Sequence, residues 1–345
     1  MMKVPKNIMS LEKIKLGGID QWIYIRGKNT DNPILLYLHG GPGMSWMHIF
    51  RHFQAPLEDY FLVVQWEQRG SGKSYSRKIP KETMTIEQFI SDLHELIEML
   101  RNRFNKEKIF LMGHSWGSIL GTFMVQRYPE LFYAYIGMGQ VTNMMENEKM
   151  LFQFTLDQAV KRNNKKAIKE LKKIGPPFEG LHPPYENVYK GGYNAKLIVF
   201  KWLINFVETK YDSNYSKIDE IKKQYSNEIK KYLEFLYLSN PEYKPFDIFK
   251  NISGGKFSTK TMTKEILTVN LFKQVPELKV PVYIIIGRND RITSAELAKK
   301  YFDALKAPKK EVIWFEKSYH APNLEEPEKF NRLLIERILL ESFSR

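Results

Sequence analysis

The run Gly113-His114-Ser115-Trp116-Gly117 sets a serine between two glycines, directly after the apolar residues 109–112 and directly before the helix-compatible residues 118–125. A strand, a tight turn with small residues at both corners and a helix can together lift a serine hydroxyl above the edge of a sheet. A hydroxyl at its free pKa is a weak nucleophile; it needs a base, and the base needs a carboxylate to orient it. Of the seven histidines only His182 and His320 follow Ser115. His182 lies in a proline-rich stretch, whereas His320 follows the apolar run 312–315 in a short polar loop, which makes His320 the expected base. Asp290 closes Gly287-Arg288-Asn289-Asp290, immediately after the apolar run 282–286. A carboxylate there sits at the end of a strand, on the edge where open α/β sheets build their sites. Ser, Asp and His in this chain order fit a nucleophile carried on a strand-to-helix turn. A second glycine-dense turn, His39-Gly40-Gly41-Pro42-Gly43, follows the apolar run 34–38 and lets backbone N–H groups approach a substrate carbonyl. With the residue after the nucleophile it predicts an oxyanion hole donated by Gly41 and Trp116.

Strands must carry these turns. Residues 21–26, 34–39, 61–66, 109–113 and 133–139 read as strands, as do 282–287 and 312–315. Helical spacing of Ile86, Phe89, Ile90, Leu93, Ile97 and Leu100 predicts an amphipathic helix over 86–104, and further helices are expected at 117–126, 295–305 and 327–341. Alternation of strand and helix implies a mostly parallel sheet covered on both faces. Between residues 142 and 276 the texture changes to lysine-rich helical stretches broken by a turn-rich segment over 176–192. This reads as a helical cap (142–276) inserted into a core domain made of 1–141 and 277–345.

Composition narrows the chemistry. A hydrophobic share of 43% over 345 residues supports a packed core rather than a disordered chain. Without cysteine there is no disulfide, thiolate nucleophile or Cys-ligated zinc. Lysine and arginine number 53 against 39 acids, but the excess is scattered lysine, as in 165–173 and 222–231, with no arginine-rich stripe. Solvated helix faces explain it better than a nucleic-acid partner does. The start, Met1-Met2-Lys3-Val4-Pro5-Lys6, runs straight into charge, and no stretch reaches the roughly 18 apolar residues a bilayer span needs, so a cytoplasmic location without membrane contact is expected. Oligomeric state is not readable.

Together with Trp66-Glu67-Gln68-Arg69-Gly70-Ser71-Gly72-Lys73-Ser74, the motifs at 39–43, 113–118, 287–290 and His320 make the chain resemble the proline iminopeptidase family of serine aminopeptidases, within the α/β hydrolases. The resemblance covers the sheet segments well and the insertion poorly, and Glu67 and Ser71 stand where the family usually has Asp and often has Cys. It implies an α/β-hydrolase fold, nucleophile Ser115, acid Asp290, base His320, oxyanion donors Gly41 and Trp116, and an acyl-enzyme reached without metal or organic cofactor. An aminopeptidase acting on short peptides is the leading expectation. A carboxylesterase, lactonase or amidase with the same triad is the alternative, and a binding protein on a retained fold is a third. A serine at the nucleophile position disfavours an epoxide hydrolase or dehalogenase, which need a carboxylate there.

An aminopeptidase must also hold a protonated amine in a partly dry pocket, where an unpaired cation is costly. The insertion's first acids are Glu146 and Glu148, in Met144-Met145-Glu146-Asn147-Glu148-Lys149, shortly after the strand ending at Gly139. Acids in a helix's first turn complement its dipole, and that alone accounts for them; the functional alternative is that one of them binds the substrate's α-ammonium.

Overall fold

The computed structural model describes residues 6–208 and 244–343. Eight strands form one sheet: β1 (Ile8–Leu16), β2 (Ile19–Gly27), β3 (Ile34–Leu38), β4 (Leu62–Glu67), β5 (Ile109–His114), β6 (Phe132–Met138), β7 (Val282–Gly287) and β8 (Lys310–Phe315). Their spatial order is β1-β2-β4-β3-β5-β6-β7-β8, parallel from β4 to β8 and antiparallel only at β1–β2 and β2–β4. Every residue of β3, β4, β5 and β7 is buried, as continuous apolar runs covered on both faces should be.

Side chains alternate across the sheet. In β3, Ile34, Leu36 and Leu38 enter one hydrophobic cluster, while Leu35 and Tyr37 enter the other. The first cluster packs beneath α2 (Ile86–Phe104) and α3 (Trp116–Arg127), reached after α1 (Met47–Gln54). Thr85 caps α2 by accepting from Gln88 N at 3.1 Å, and Asn105 ends it in the left-handed conformation. The strand β1 and the helix α1 are additions to the sequence-based elements. So is the irregular end of the chain, where the helix expected over 327–341 begins as Pro327–Arg332, passes through a π-helical stretch at Leu333–Leu339 and closes as Leu340–Phe343.

Between β6 and β7 lie α4 (Met144–Lys161), α5 (Lys165–Ile174), α6 (Gly192–Glu208) and α7 (Pro245–Ile266). The lysine-rich stretch 222–231 lies outside the described residues. Leu151, Phe152, Leu171, Val199 and Leu203 of α4, α5 and α6 form a hydrophobic cluster of their own. α7 is attached differently, because Met262 and Ile266 are buried in the sheet's cluster. Ile248 packs beside Ile49 and Phe53, and polar contacts add to this: Lys73 meets Asp247 at 2.5 Å, Asn251 and Ser45 exchange two bonds of 2.8 and 3.0 Å, and Ser258 donates to Gly70 O at 3.0 Å. Among the described residues no helix is long and apolar enough to cross a membrane.

Below the site, the Arg69 guanidinium lies fully buried against Asp92, with bonds of 3.0 and 3.1 Å, and also donates to Thr83 Oγ1 and Gly17 O. Gln21 and Gln88 donate to the same carboxylate at 2.6 and 2.8 Å, so both charges are satisfied. Removing one partner strands the other charge in the core. Asp92→Ala should cost about 3–5 kcal/mol of unfolding free energy, measured by urea titration of the purified chain, and a loss under ~1 kcal/mol would mean the pair is screened as a surface pair is.

Candidate active site

Ser115 sits at the junction of β5 and α3 with φ 52° and ψ −118°, a left-handed backbone that a non-glycine residue adopts only under constraint. The constraint is visible on both sides. Ser115 N donates to Met138 O at 2.9 Å, and Ser118 N donates to Ser115 O at 2.8 Å. A Cβ on Gly113 would lie 2.4 Å from Gly117 O, and one on Gly117 would lie 2.2 Å from Leu38 O, so only glycine lets this turn close against its neighbours.

Asp290 follows β7 and is buried; its Oδ1 accepts from Ile292 N and Thr293 N at 2.9 and 3.0 Å. Its Oδ2 accepts from Thr293 Oγ1 at 2.8 Å and from His320 Nδ1 at 2.9 Å. With Nδ1 donating, the lone pair of the imidazole is on Nε2, the form a general base requires. His320 lies on the loop after β8, which crosses over the end of β7 so closely that a Cβ on Gly287 would fall 1.7 Å from Tyr319 O. Burial works against the imidazolium, but the Asp290 charge and hydrogen bond, helped by Glu325, outweigh it and raise the His320 pKa above its ordinary 6.5.

Gly40 and Gly41 border the same cavity as Ser115, Trp116 and His320. A Cβ on Gly40 would stand 3.2 Å from Ser115 Cβ. Trp116 is the first residue of α3, so its N–H has no intrahelical acceptor and adjoins the serine. The two halves are tied together: Trp116 Nε1 donates to Gln68 Oε1 at 2.8 Å, Gln68 Nε2 donates to His39 O at 3.2 Å, and His39 Nδ1 donates to Gly40 O at 2.7 Å. Burial pushes the His39 pKa down to about 4, so this bridge stays neutral.

The cavity measures about 360 Å³ and is mostly apolar, with Met44, Trp46, Ile119, Leu151, Phe200 and Ile204 in its wall. Glu148 is in that wall, buried, and ion-paired with Lys196 of α6 at 2.7 Å. Glu146 is not. It lies on α4, half exposed, with its carboxylate 3.7 Å from Lys149 and its N–H donating to the Asn143 cap. α4 is fixed to the acid's loop by Asn147, whose Nδ2 donates to Ile292 O at 2.8 Å and whose Oδ1 accepts from Ser294 N at 2.7 Å.

Two buried titratable groups in the wall are absent from the sequence-based set. His114 Nε2 donates to His320 O at 2.8 Å, and burial drives its pKa down to about 3. Glu325 accepts from the backbone on either side of His320. His114 occupies a variable position of the glycine–serine motif, and Glu325 stands five residues beyond the histidine, so neither is marked by residue pattern.

A family model for the α/β hydrolase fold matches residues 33–173, and one for serine aminopeptidases of the S33 type matches residues 250–327. A probable aminopeptidase, YbaC, of Bacillus subtilis (strain 168) is 34% identical over 334 residues, spanning 97% of this chain and 98% of its own. The chain belongs to the serine aminopeptidase family of the α/β hydrolases. This serine aminopeptidase-family chain is also 25% identical over 303 residues to a proline iminopeptidase of Heyndrickxia coagulans, covering 88% of this chain and 89% of that one. Among solved structures, a proline iminopeptidase-related protein of Thermus thermophilus superposes with a TM-score of 0.63 at 18% identity, covering 97% of this chain and 98% of that one, and shares the fold. The chain is thus a serine hydrolase by family.

Because the raised His320 pKa must be crossed before Nε2 can accept a proton, kcat/KM should rise with pH along an acid limb whose midpoint lies above 6.5. Asp290→Asn should lower kcat by about 10⁴ by favouring the wrong imidazole tautomer. Stopped assays across pH 5–9 check both; a variant within tenfold of wild type contradicts the assignment.

Proposed function

We propose that the protein is an aminopeptidase releasing apolar N-terminal residues, proline among them, from short peptides, with Ser115, Asp290 and His320 as its triad. His320 Nε2 takes the Ser115 hydroxyl proton as Oγ attacks the scissile carbonyl. The N–H groups of Gly41 and Trp116 receive the developing oxyanion, and Asp290 stabilises the imidazolium. The imidazolium then protonates the departing amine, and the same base activates the water that hydrolyses the acyl-enzyme. In this reading residues 142–276 cap the sheet domain of 1–141 and 277–345 and keep bulk water from the intermediate.

One observation carries the aminopeptidase reading: a buried carboxylate, Glu148, faces the cavity that holds Ser115 and His320. A substrate α-ammonium needs such a partner in an apolar pocket. Lys196 occupies Glu148 Oε1, but the lysine side chain is about one-third exposed, so it can give way to water while the incoming ammonium takes the carboxylate. The same ion pair favours the second reading, a carboxylesterase, lactonase or amidase, since with Lys196 in place the pocket is charge-balanced and suited to a neutral acyl group.

Aminoacyl arylamides, their N-blocked forms and simple acyl esters separate the two. For an aminopeptidase, Glu148→Gln should raise KM for free-amine substrates by roughly 10- to 100-fold, about 1.4–2.8 kcal/mol, while amine-free esters are hydrolysed as before. Equal effects on both substrate types, or no effect on either, would transfer the assignment to the esterase reading.

A further inference from the structure

Glu325 is a buried carboxylate that no step of the proposed reaction uses. It belongs to a short helix at Pro322–Glu325, and its side chain turns back onto the loop that carries His320. One oxygen accepts from Tyr319 N and the other accepts from Ala321 N at 3.2 Å, so the carboxylate grips the peptide groups immediately before and after the histidine. His114 Nε2 holds the carbonyl of His320 itself at 2.8 Å, and Asp290 holds its ring at 2.9 Å. His320 is therefore held at its own carbonyl and through the N–H groups of the residues on either side of it, in addition to the hold on its ring. Neighbouring Glu326 does different work, accepting from Lys317 N and Ser318 Oγ earlier in the loop.

We propose that Glu325 is a positioning residue for the base: its carboxylate clamps the His320 backbone and, by its charge, sustains the imidazolium that forms during acyl transfer. The proposal rests on His320 being the base. A carboxylate that accepts one N–H on each oxygen makes a directional arrangement, strongest when the side chain is ionised. Burial raises the Glu325 pKa to about 7, with Asp290 adding to the rise and the two N–H groups and His320 opposing it. The titratable groups facing it are Asp290 after β7, His320 on its own loop and, through that loop, His114 at the end of β5. From the other side α1 presents Ile49 and Phe53, which cluster with Ala321 and Leu324.

Sign follows from charge. The Glu325 anion favours the imidazolium, so it holds the acid limb of activity at higher pH; as pH falls through the carboxyl's own titration the clamp is lost together with the neutral imidazole. Protonating either group weakens the other's hold on a proton, so the two losses spread along the limb.

The test is kcat per reactive serine across pH 5–9, with sites counted by an organophosphonate so that misfolded chains drop out. E325Q keeps the shape, loses the charge and offers an N–H₂ to one of two N–H donors. It should lower kcat by about 10- to 100-fold with KM little changed, as expected for a misplaced catalytic group, and its acid limb should move to lower pH. E325D keeps the charge but draws the oxygens back by one methylene, so kcat should fall while the limb stays near its wild-type position. Should E325Q give too few labelled sites to assay, the E325D result decides. A fall in kcat for E325Q with an unmoved limb would reduce Glu325 to a packing role, a moved limb with full kcat would remove the positioning role, and wild-type behaviour in E325D would overturn the clamp. Failure of the organophosphonate to label wild type at all would instead strike the triad on which the proposal rests.

Discussion

The hydrogen bond from His320 Nδ1 to Asp290 Oδ2, 2.9 Å long and largely withdrawn from solvent, sets which nitrogen of the imidazole can face a substrate. An imidazole on a loop has two rotatable bonds and two tautomers; the site needs one combination. β7 supplies the acid at its C-terminal end, where two backbone N–H groups and the Thr293 hydroxyl leave the carboxylate one oxygen direction for the histidine. β8 and the close crossing at Gly287 bring the base over it. Adjacent parallel strands thus convert a pairing register into a catalytic distance, which is why the edge of the sheet rather than a helix surface carries the chemistry.

The nucleophile reaches the same place by another route. Its strained turn is held between Met138 O of β6 and the carbonyls that Gly117 packs against, so the serine is fixed by the sheet's interior. The insertion is then tied to both halves, through Asn147 to the acid's loop and through Asn251 to Ser45 beside the oxyanion turn. A shift of α4 or α7 would be felt at the Asp290 loop and at the glycine turn together.

Much of this was legible in the sequence because strands buried on both faces are written as unbroken apolar runs, as residues 282–286 and 109–112 show, and because the serine, aspartate and histidine each follow such a run. What escaped has identifiable causes. β1 is an edge strand buried only at Ile8 and Leu16, and Glu12, Lys13 and Lys15 between them hide it among charges. Glu148 and Glu146 look alike two residues apart, yet helical geometry buries one against Lys196, 48 residues away, and leaves the other in solvent. The clamp by Glu325 depends on how a turn folds back, and spacing from His320 does not encode that.

We propose Ser115 as the covalent nucleophile of one continuous site. Peptide-mapped mass spectrometry after reaction with an organophosphonate tests it most directly. One adduct per chain is expected, on Ser115, with aminoacyl arylamide hydrolysis lost in proportion to labelling and no adduct in Ser115→Ala. An adduct on another residue, or hydrolysis persisting in fully labelled protein, would contradict it.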